Sequence, residues 1–268
     1  MKINVVGLGY IGLPTALTMA NAGFTVVGTD YNKGLVETLN AGKVTFEEKG
    51  LVELFNSAVS TGNISFSNDY QEAEVYIVSV PTPYDKFSKK IDASYVINAV
   101  KEVLNVCKDE SIIVIESTIS PGTIEKYIKP LVNKNVYLAH APERIIPGNM
   151  VYELKHNSRT IGADDMIVGE KIANIYRKTT DGEVVVTTIK NAEMTKVVEN
   201  TYRAVNIALA NELAKICSHD NMNVYEIIKI CNMHPRVNIL NPGPGVGGHC
   251  ISVDPWFLVG DYPSLTKV

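Results

Sequence analysis

Long apolar runs are missing from this sequence of 268 residues. The longest are strand-sized, such as residues 111–115, against the roughly 20 residues of a membrane-spanning helix, so no membrane partner is expected. An excess of either charge is missing too. Lys and Arg number 25 against 29 Asp and Glu, and a net charge of -4 creates no long-range field to hold a polyanion, which argues against nucleic acid as a partner. Cysteine is scarce: the four, at positions 107, 217, 231 and 250, lie too far apart for a dense disulfide framework. No internal repeat or low-complexity tract is visible, and Met1-Lys2 leads straight into a strand-like Ile3-Asn4-Val5-Val6 with no apolar presegment or small-residue cleavage site. The expected compartment is therefore the cytoplasm. What is present, 46% hydrophobic and 20% charged residues, suffices for one large domain or two ordinary ones and excludes disorder.

Short β-branched runs alternate with helical spacing through the first half. Strands are predicted at residues 2–6, 25–29, 75–80, 112–116 and 136–140, with a weaker one at 183–187; helices are predicted at 14–22, 34–41, 50–60, 93–107 and 123–131. Nearly all-apolar strands separated by helices predict a doubly wound parallel sheet. From residue 190 to 219 the period changes: Met194, Val198, Tyr202, Val205, Leu209, Leu213 and Ile216 recur at three- and four-residue steps along one helix. Such a length fits a connector between lobes, or a connector that also packs on a second subunit. A third stretch, from residue 221, begins helical and breaks at Pro235 and the Pro/Gly cluster at 242–248. The expected fold is α/β: a Rossmann-like doubly wound parallel sheet, then a long central helix and a small helical domain.

Gly7-x-Gly9-x-x-Gly12 follows the first strand and opens a helix, and Asp30 ends the second strand. In a dinucleotide site the first glycine makes the turn, the second admits backbone to the pyrophosphate and the third lets helix and strand touch. The pyrophosphate sits at the positive helix end. A carboxylate at Asp30 suits the adenosine ribose hydroxyls and repels a 2′-phosphate, favouring NAD over NADP. Two further turns, Val80-Pro81-Thr82-Pro83 and Glu116-Ser117-Thr118, lie at carboxyl ends of predicted strands, where such sheets bind ligands; threonines there also serve as simple caps.

Gly247-Gly248-His249-Cys250 strips side chains from around a thiol, so that a substrate carbon can approach the sulfur. A small buried hydrophobe is the alternative reading. Zinc competes for Cys231, His234, His249 and Cys250, but adjacent ligands rarely reach one tetrahedral ion, and no metal is expected. On the long helix, Lys196, Asn200 and Arg203 fall within roughly 60° of one another and almost opposite the apolar stripe. From pattern alone this is a solvated polar face; as chemistry, it offers a proton-exchanging cation, an amide and a guanidinium for an oxyanion and a phosphate.

Taken together, Gly7-Leu8-Gly9-Tyr10-Ile11-Gly12, Ala141-Pro142-Glu143-Arg144-Ile145-Ile146-Pro147-Gly148, Glu193-x-x-Lys196-x-x-x-Asn200 and Asn241-Pro242-Gly243-Pro244-Gly245-Val246-Gly247-Gly248-His249-Cys250 resemble the UDP-glucose/UDP-N-acetylmannosamine dehydrogenase family over essentially the whole chain. Arg144 and Pro147, with His234-Pro235-Arg236-Val237-Asn238, resemble the UDP-N-acetyl-D-mannosamine branch rather than the UDP-glucose branch. The implied substrate is a UDP-N-acetylhexosamine, with UDP-N-acetylglucosamine as the alternative to the manno epimer.

The resemblance implies a four-electron oxidation of the C6 hydroxyl to a carboxylate with two NAD⁺, through a thiohemiacetal and thioester on Cys250. Lys196 resembles the family's proton donor/acceptor and, with Asn200, its oxyanion support; Thr118 and Glu143 resemble the pair that orders a water, and Asp254 an acid supporting the site. Gly7, Gly9, Tyr10, Ile11, Gly12, Asp30, Thr82 and Thr118 match NAD contacts. Arg144, Ile145, Lys196, Asn200, Arg203, His234, Arg236 and Gly247 match positions that contact the nucleotide sugar. The implied organisation is an NAD-binding domain at 1–189, then a central homodimerisation helix and catalytic-cysteine segment at 190–268, with the family's C-terminal UDP-binding domain expected to be absent. That expectation carries another: poor oxidation by the chain alone unless the missing part is supplied, leaving a non-catalytic NAD-binding dimer as the second reading.

Overall fold

The computed structural model describes residues 1–83, 85, 87, 91–145, 148–246, 251, 253–262 and 264. These fall into two compact units, the first made of Met1–Pro83 with Asp92–Glu193 and the second of the remainder.

The first unit is an eight-stranded sheet in the order β3-β2-β1-β4-β5-β6-β7-β8. Its strands are β1 (Lys2–Val6), β2 (Thr25–Thr29), β3 (Ile64–Ser67), β4 (Val75–Val78), β5 (Ile112–Ile115), β6 (Tyr137–His140), β7 (Arg159–Ala163) and β8 (Val184–Thr187). Every pairing is parallel except β6 with β7. The central strands β4 and β5 are buried at every position, as expected where helices cover both faces. Each fully buried Val or Ile there contributes about 1.5–3 kcal/mol of transfer free energy.

The helices of this unit are α1 (Gly12–Asn21), α2 (Lys33–Asn40), α3 (Leu51–Ser60), α4 (Ser94–Val106), α5 (Met150–His156) and α6 (Met166–Tyr176). The caps explain two starts: Asn32 accepts the Leu35 N–H ahead of α2, and Asp165 accepts from Ile167 and Val168 ahead of α6. The helix expected at 123–131 is instead a π-turn, Ile124–Ile128, followed by a 3-10 turn, Lys129–Leu131. Pro130 has no N–H to continue an α-helical ladder, and its ring crowds the preceding turn.

α7 (Ile189–His219) is one helix of 31 residues, and the boundary between the units falls inside it, after Glu193. The second unit continues with α8 (Val224–Cys231), capped by Asn223, and α9 (Asp254–Asp261). Among the described residues no helix is long and apolar enough to cross a membrane.

Candidate active site

In the first unit the carboxyl ends of β1, β2, β4, β5 and β6 carry the glycine loop, Asp30, Thr82, Thr118 and Glu143 respectively. The glycine loop divides its labour by sterics. Gly7 sits at φ +88°, and a Cβ on it would lie 2.5 Å from the Ser79 carbonyl oxygen; a Cβ on Gly12 would overlap the Gly7 carbonyl. Those two glycines let β1, β4 and α1 touch. Gly9 differs: nothing lies within 4 Å of where its Cβ would be. Its backbone is open to an approaching group, and no side chain caps α1 at its N-cap position, Ile11, which leaves the helix start open to an anion. Asp30 is held beside the loop, its carboxylate accepting the Leu8 N–H at 2.8 Å and the Asn32 N–H at 2.9 Å. This donor set and open cradle fit a dinucleotide. Ser117 fastens the next two turns together, accepting the Val80 N–H at 2.9 Å and donating to the Val80 carbonyl at 2.7 Å, so Thr82 and Thr118 stand on linked loops.

Behind this edge lies a polar cluster that sequence reasoning missed. Arg159, 5% exposed, pairs through Nη1 with Glu116 at 3.3 Å and through Nη2 with Glu143. Glu116 also accepts from the Ser79 and Thr15 hydroxyls, the latter at 3.1 Å, and the guanidinium stacks over Tyr176 at 4.7 Å. Burial pushes the Glu116 carboxyl above its ordinary value, with Arg159 opposing and Glu143 adding to the rise. Glu143 is thus aimed by Arg159, while its Oε1 accepts the Arg144 N–H at 2.7 Å. The Arg144 guanidinium is itself turned onto Ser158, 2.9 Å from the hydroxyl. Ile145 beside it is half-buried.

In the second unit the faces of α7 are the reverse of the sequence expectation. Lys196 and Asn200 are buried, at 9% and 5% exposure, whereas Val198, Tyr202, Val205, Leu209 and Ile216 are exposed. Asn200 donates to Asp254 at 2.6 Å, and Asp254 is buried in the first turn of α9. Three predicted site residues therefore gather on one side of α7, with Arg203 half-buried nearby in the sequence. His234 and Arg236 are exposed in a turn, where the His234 ring nitrogen accepts the Arg236 N–H at 3.3 Å. Two asparagines not anticipated fix the chain that follows: Asn206 binds the Asn238 carbonyl at 2.7 Å and the Leu240 N–H at 2.9 Å, and Asn211 accepts the Gly243 N–H at 2.8 Å. Helix-interior asparagines with poor helix propensity were the signal available in the sequence. Gly247 and Cys250 lie outside the described residues. Cys107 and Cys217 are buried thiols, and among the described residues no cluster of His, Cys, Asp and Glu could hold a metal.

Comparison with known proteins accords with this geometry. Residues 1–180 match the NAD binding domain of the UDP-glucose/GDP-mannose dehydrogenase family, and residues 190–266 match its central domain. The chain belongs to that family. Family membership makes NAD the dinucleotide of residues 1–180. Among its members, the UDP-N-acetyl-D-mannosamine dehydrogenase of Methanococcus maripaludis is 50% identical over 261 residues, covering 96% of this chain and 61% of the relative. The Escherichia coli K12 protein of the same name is 40% identical, covering 99% of this chain and 66% of the relative. A solved UDP-D-ManNAc dehydrogenase from Pyrococcus horikoshii superposes with a TM-score of 0.92 at 39% identity, covering 98% of this chain and 65% of that one. The chain thus spans about three-fifths to two-thirds of these relatives' length.

Proposed function

We propose that the chain is the NAD-binding and catalytic part of a cytoplasmic UDP-N-acetyl-D-mannosamine 6-dehydrogenase. The observation that carries this reading is the inversion of α7: the side chains of Lys196 and Asn200 are withdrawn from water, with Asp254 against the amide. Burying such polar groups is costly unless they are paired or have work to do. The manno epimer is supported by the 50% identity to a relative of that name.

In this reading Gly9, the start of α1 and Asp30 hold NAD, which accepts the hydride in each oxidation. Lys196 exchanges the C6 hydroxyl proton and, with Asn200, stabilises the oxyanion. The Cys250 thiolate forms a C–S bond to the C6 aldehyde carbon, and after the second oxidation a water breaks that bond to release the carboxylate and return the thiol. Thr118 and Glu143, the latter oriented by Arg159, serve that water. Arg144, Ile145, Arg203, His234, Arg236 and Gly247 are assigned to the nucleotide sugar, and Tyr10, Ile11 and Thr82 to the cofactor.

NADH formation with UDP-N-acetylmannosamine, UDP-N-acetylglucosamine and UDP-glucose in parallel tests the reading, in the presence and absence of the remaining part of a full-length relative. Two NADH per manno sugar are expected, and Cys250→Ala is expected to cut carboxylate formation by about 1,000-fold or more with NAD affinity unchanged. NAD binding without NADH from any sugar, in either condition, would favour the non-catalytic reading instead.

The exposed apolar face of α7 supports a second copy of the chain as partner. Charging it with Tyr202→Glu and Leu209→Glu is expected to convert a dimer to a monomer in sedimentation, at little cost to the monomer because both side chains are more than half exposed. A species of monomer mass before substitution would dispose of this assignment.

A further inference from the structure

Glu48, between α2 and α3, binds two loops to which the reading above gives different tasks. Its Oε2 accepts the Tyr10 hydroxyl and the Gly148 N–H, the second at 2.9 Å, and its Oε1 accepts the Met150 N–H at 3.2 Å. Tyr10 stands in the middle of the glycine loop and packs its ring on Phe46 at 5.0 Å. Gly148, at φ +91°, closes the motif that carries Glu143, Arg144 and Ile145, and Met150 opens α5. One carboxylate therefore joins the cofactor loop to the chain just downstream of the residues assigned to substrate.

The join is fixed at its own base. The Glu48 carbonyl accepts the Leu51 N–H at 3.1 Å at the start of α3, and the place of a Cβ on Gly50 lies 3.6 Å from Val151, so residues 48–51 run against 148–151. Burial raises the Glu48 carboxyl, but the Tyr10 hydroxyl and the N–H groups of Gly148 and Met150 outweigh that and hold it below the usual carboxylate value. Burial, together with the Glu48 charge, pushes the Tyr10 phenol up to about 12. At neutral pH the tyrosine is a donor and the glutamate only an acceptor, the arrangement that makes charge-assisted bonds strong.

We propose that Glu48 is a positioning residue that couples NAD occupancy of the 7–12 loop to ordering of the stretch from Gly148 through α5. The proposal rests on the assignment of Tyr10 to the cofactor and of Arg144 and Ile145 to the sugar. A group that grips both loops makes the two events one equilibrium, and linkage requires the effect to be reciprocal.

Hydrogen exchange of peptides covering 148–156, with and without NAD, tests this on the 268-residue chain. In the wild type NAD is expected to slow exchange there by about fivefold or more; in Glu48→Gln and in Tyr10→Phe that NAD-dependent slowing is expected to vanish and NAD affinity to fall by a similar factor. Tyr10→Phe keeps the ring on Phe46, so an unchanged melting temperature separates lost coupling from lost folding. A purely structural Glu48 would alter exchange equally with and without NAD. Equal NAD-dependent protection in wild type and variants, or no protection in a wild type that binds NAD, would overturn this proposal alone. A wild type that binds no NAD would overturn the cofactor reading along with it.

Discussion

Gly9→Val is expected to lower NAD affinity by about 100-fold or more, equivalent to about 3 kcal/mol, while the melting temperature stays within about 2 °C of the wild type. The two halves of that expectation come from the same observation. A Cβ at position 9 meets no protein atom within 4 Å, so the folded state is open where the side chain leaves the backbone. The room it takes is where, in the proposed cofactor site, backbone N–H groups would come within hydrogen-bond reach of the pyrophosphate. Gly12→Ala makes the contrast, since its methyl group would run into the Gly7 carbonyl and push α1 off β1, lowering stability and binding together. Calorimetric titration with NAD beside thermal unfolding checks both. Gly9→Val protein that binds NAD within threefold of the wild type would show that the dinucleotide does not approach this loop.

Arg159→Leu is expected to destabilise the first unit by about 3–5 kcal/mol at neutral pH. The substitution leaves the carboxyls of Glu116 and Glu143, at 1% and 6% exposure, without their shared cation. The pH dependence has a definite sign. Glu116 is raised in the folded chain above its ordinary value of 4.5, so its contribution to stability is fully present below that value and is lost as pH rises and the folded state must hold a buried charge. Arg159 offsets that loss in the wild type. The deficit of the variant should therefore be largest at neutral pH and should shrink as pH falls toward 4.5. Urea unfolding at several pH values reads it directly, and a deficit that stays constant over that range would mean that the guanidinium is not neutralising these carboxyls. Replacing Glu116 and Arg159 together by residues of similar volume should cost less than the single change, because one buried charge leaves with the other.

The sequence made some of this visible and hid the rest, and locality decides which. β1, the glycine turn, α1 and Asp30 were readable because every part of that unit is specified within 30 residues. β3, with the sequence Ile-Ser-Phe-Ser, and β7, Arg-Thr-Ile-Gly-Ala, escaped notice because neither is a continuous apolar run. β7 begins on an arginine whose burial makes sense only through Glu116 and Glu143, well upstream of it. The antiparallel seat of β7 against β6 likewise has no local signature. Among the site residues, spacing correctly put Lys196 and Asn200 on one side of a long helix. It could not say which side faces inward, because hydropathy alone sends Val198, Tyr202 and Leu209 to the interior and the structure does the opposite. Glu48 belongs to no motif: its partners are 38, 100 and 102 residues distant.

The reversed faces of α7 set a limit on how the gene can vary. Each residue added to a helix turns everything beyond it by about 100°, so a one-codon insertion ahead of Asn200 would turn the polar side part-way out and the oily side part-way in at a single stroke. Neither change could be selected against separately. Only length changes near whole repeats, about seven or eleven residues, would keep both phases, and lineages descending from this chain should show substitutions along the helix but almost no single-residue indels.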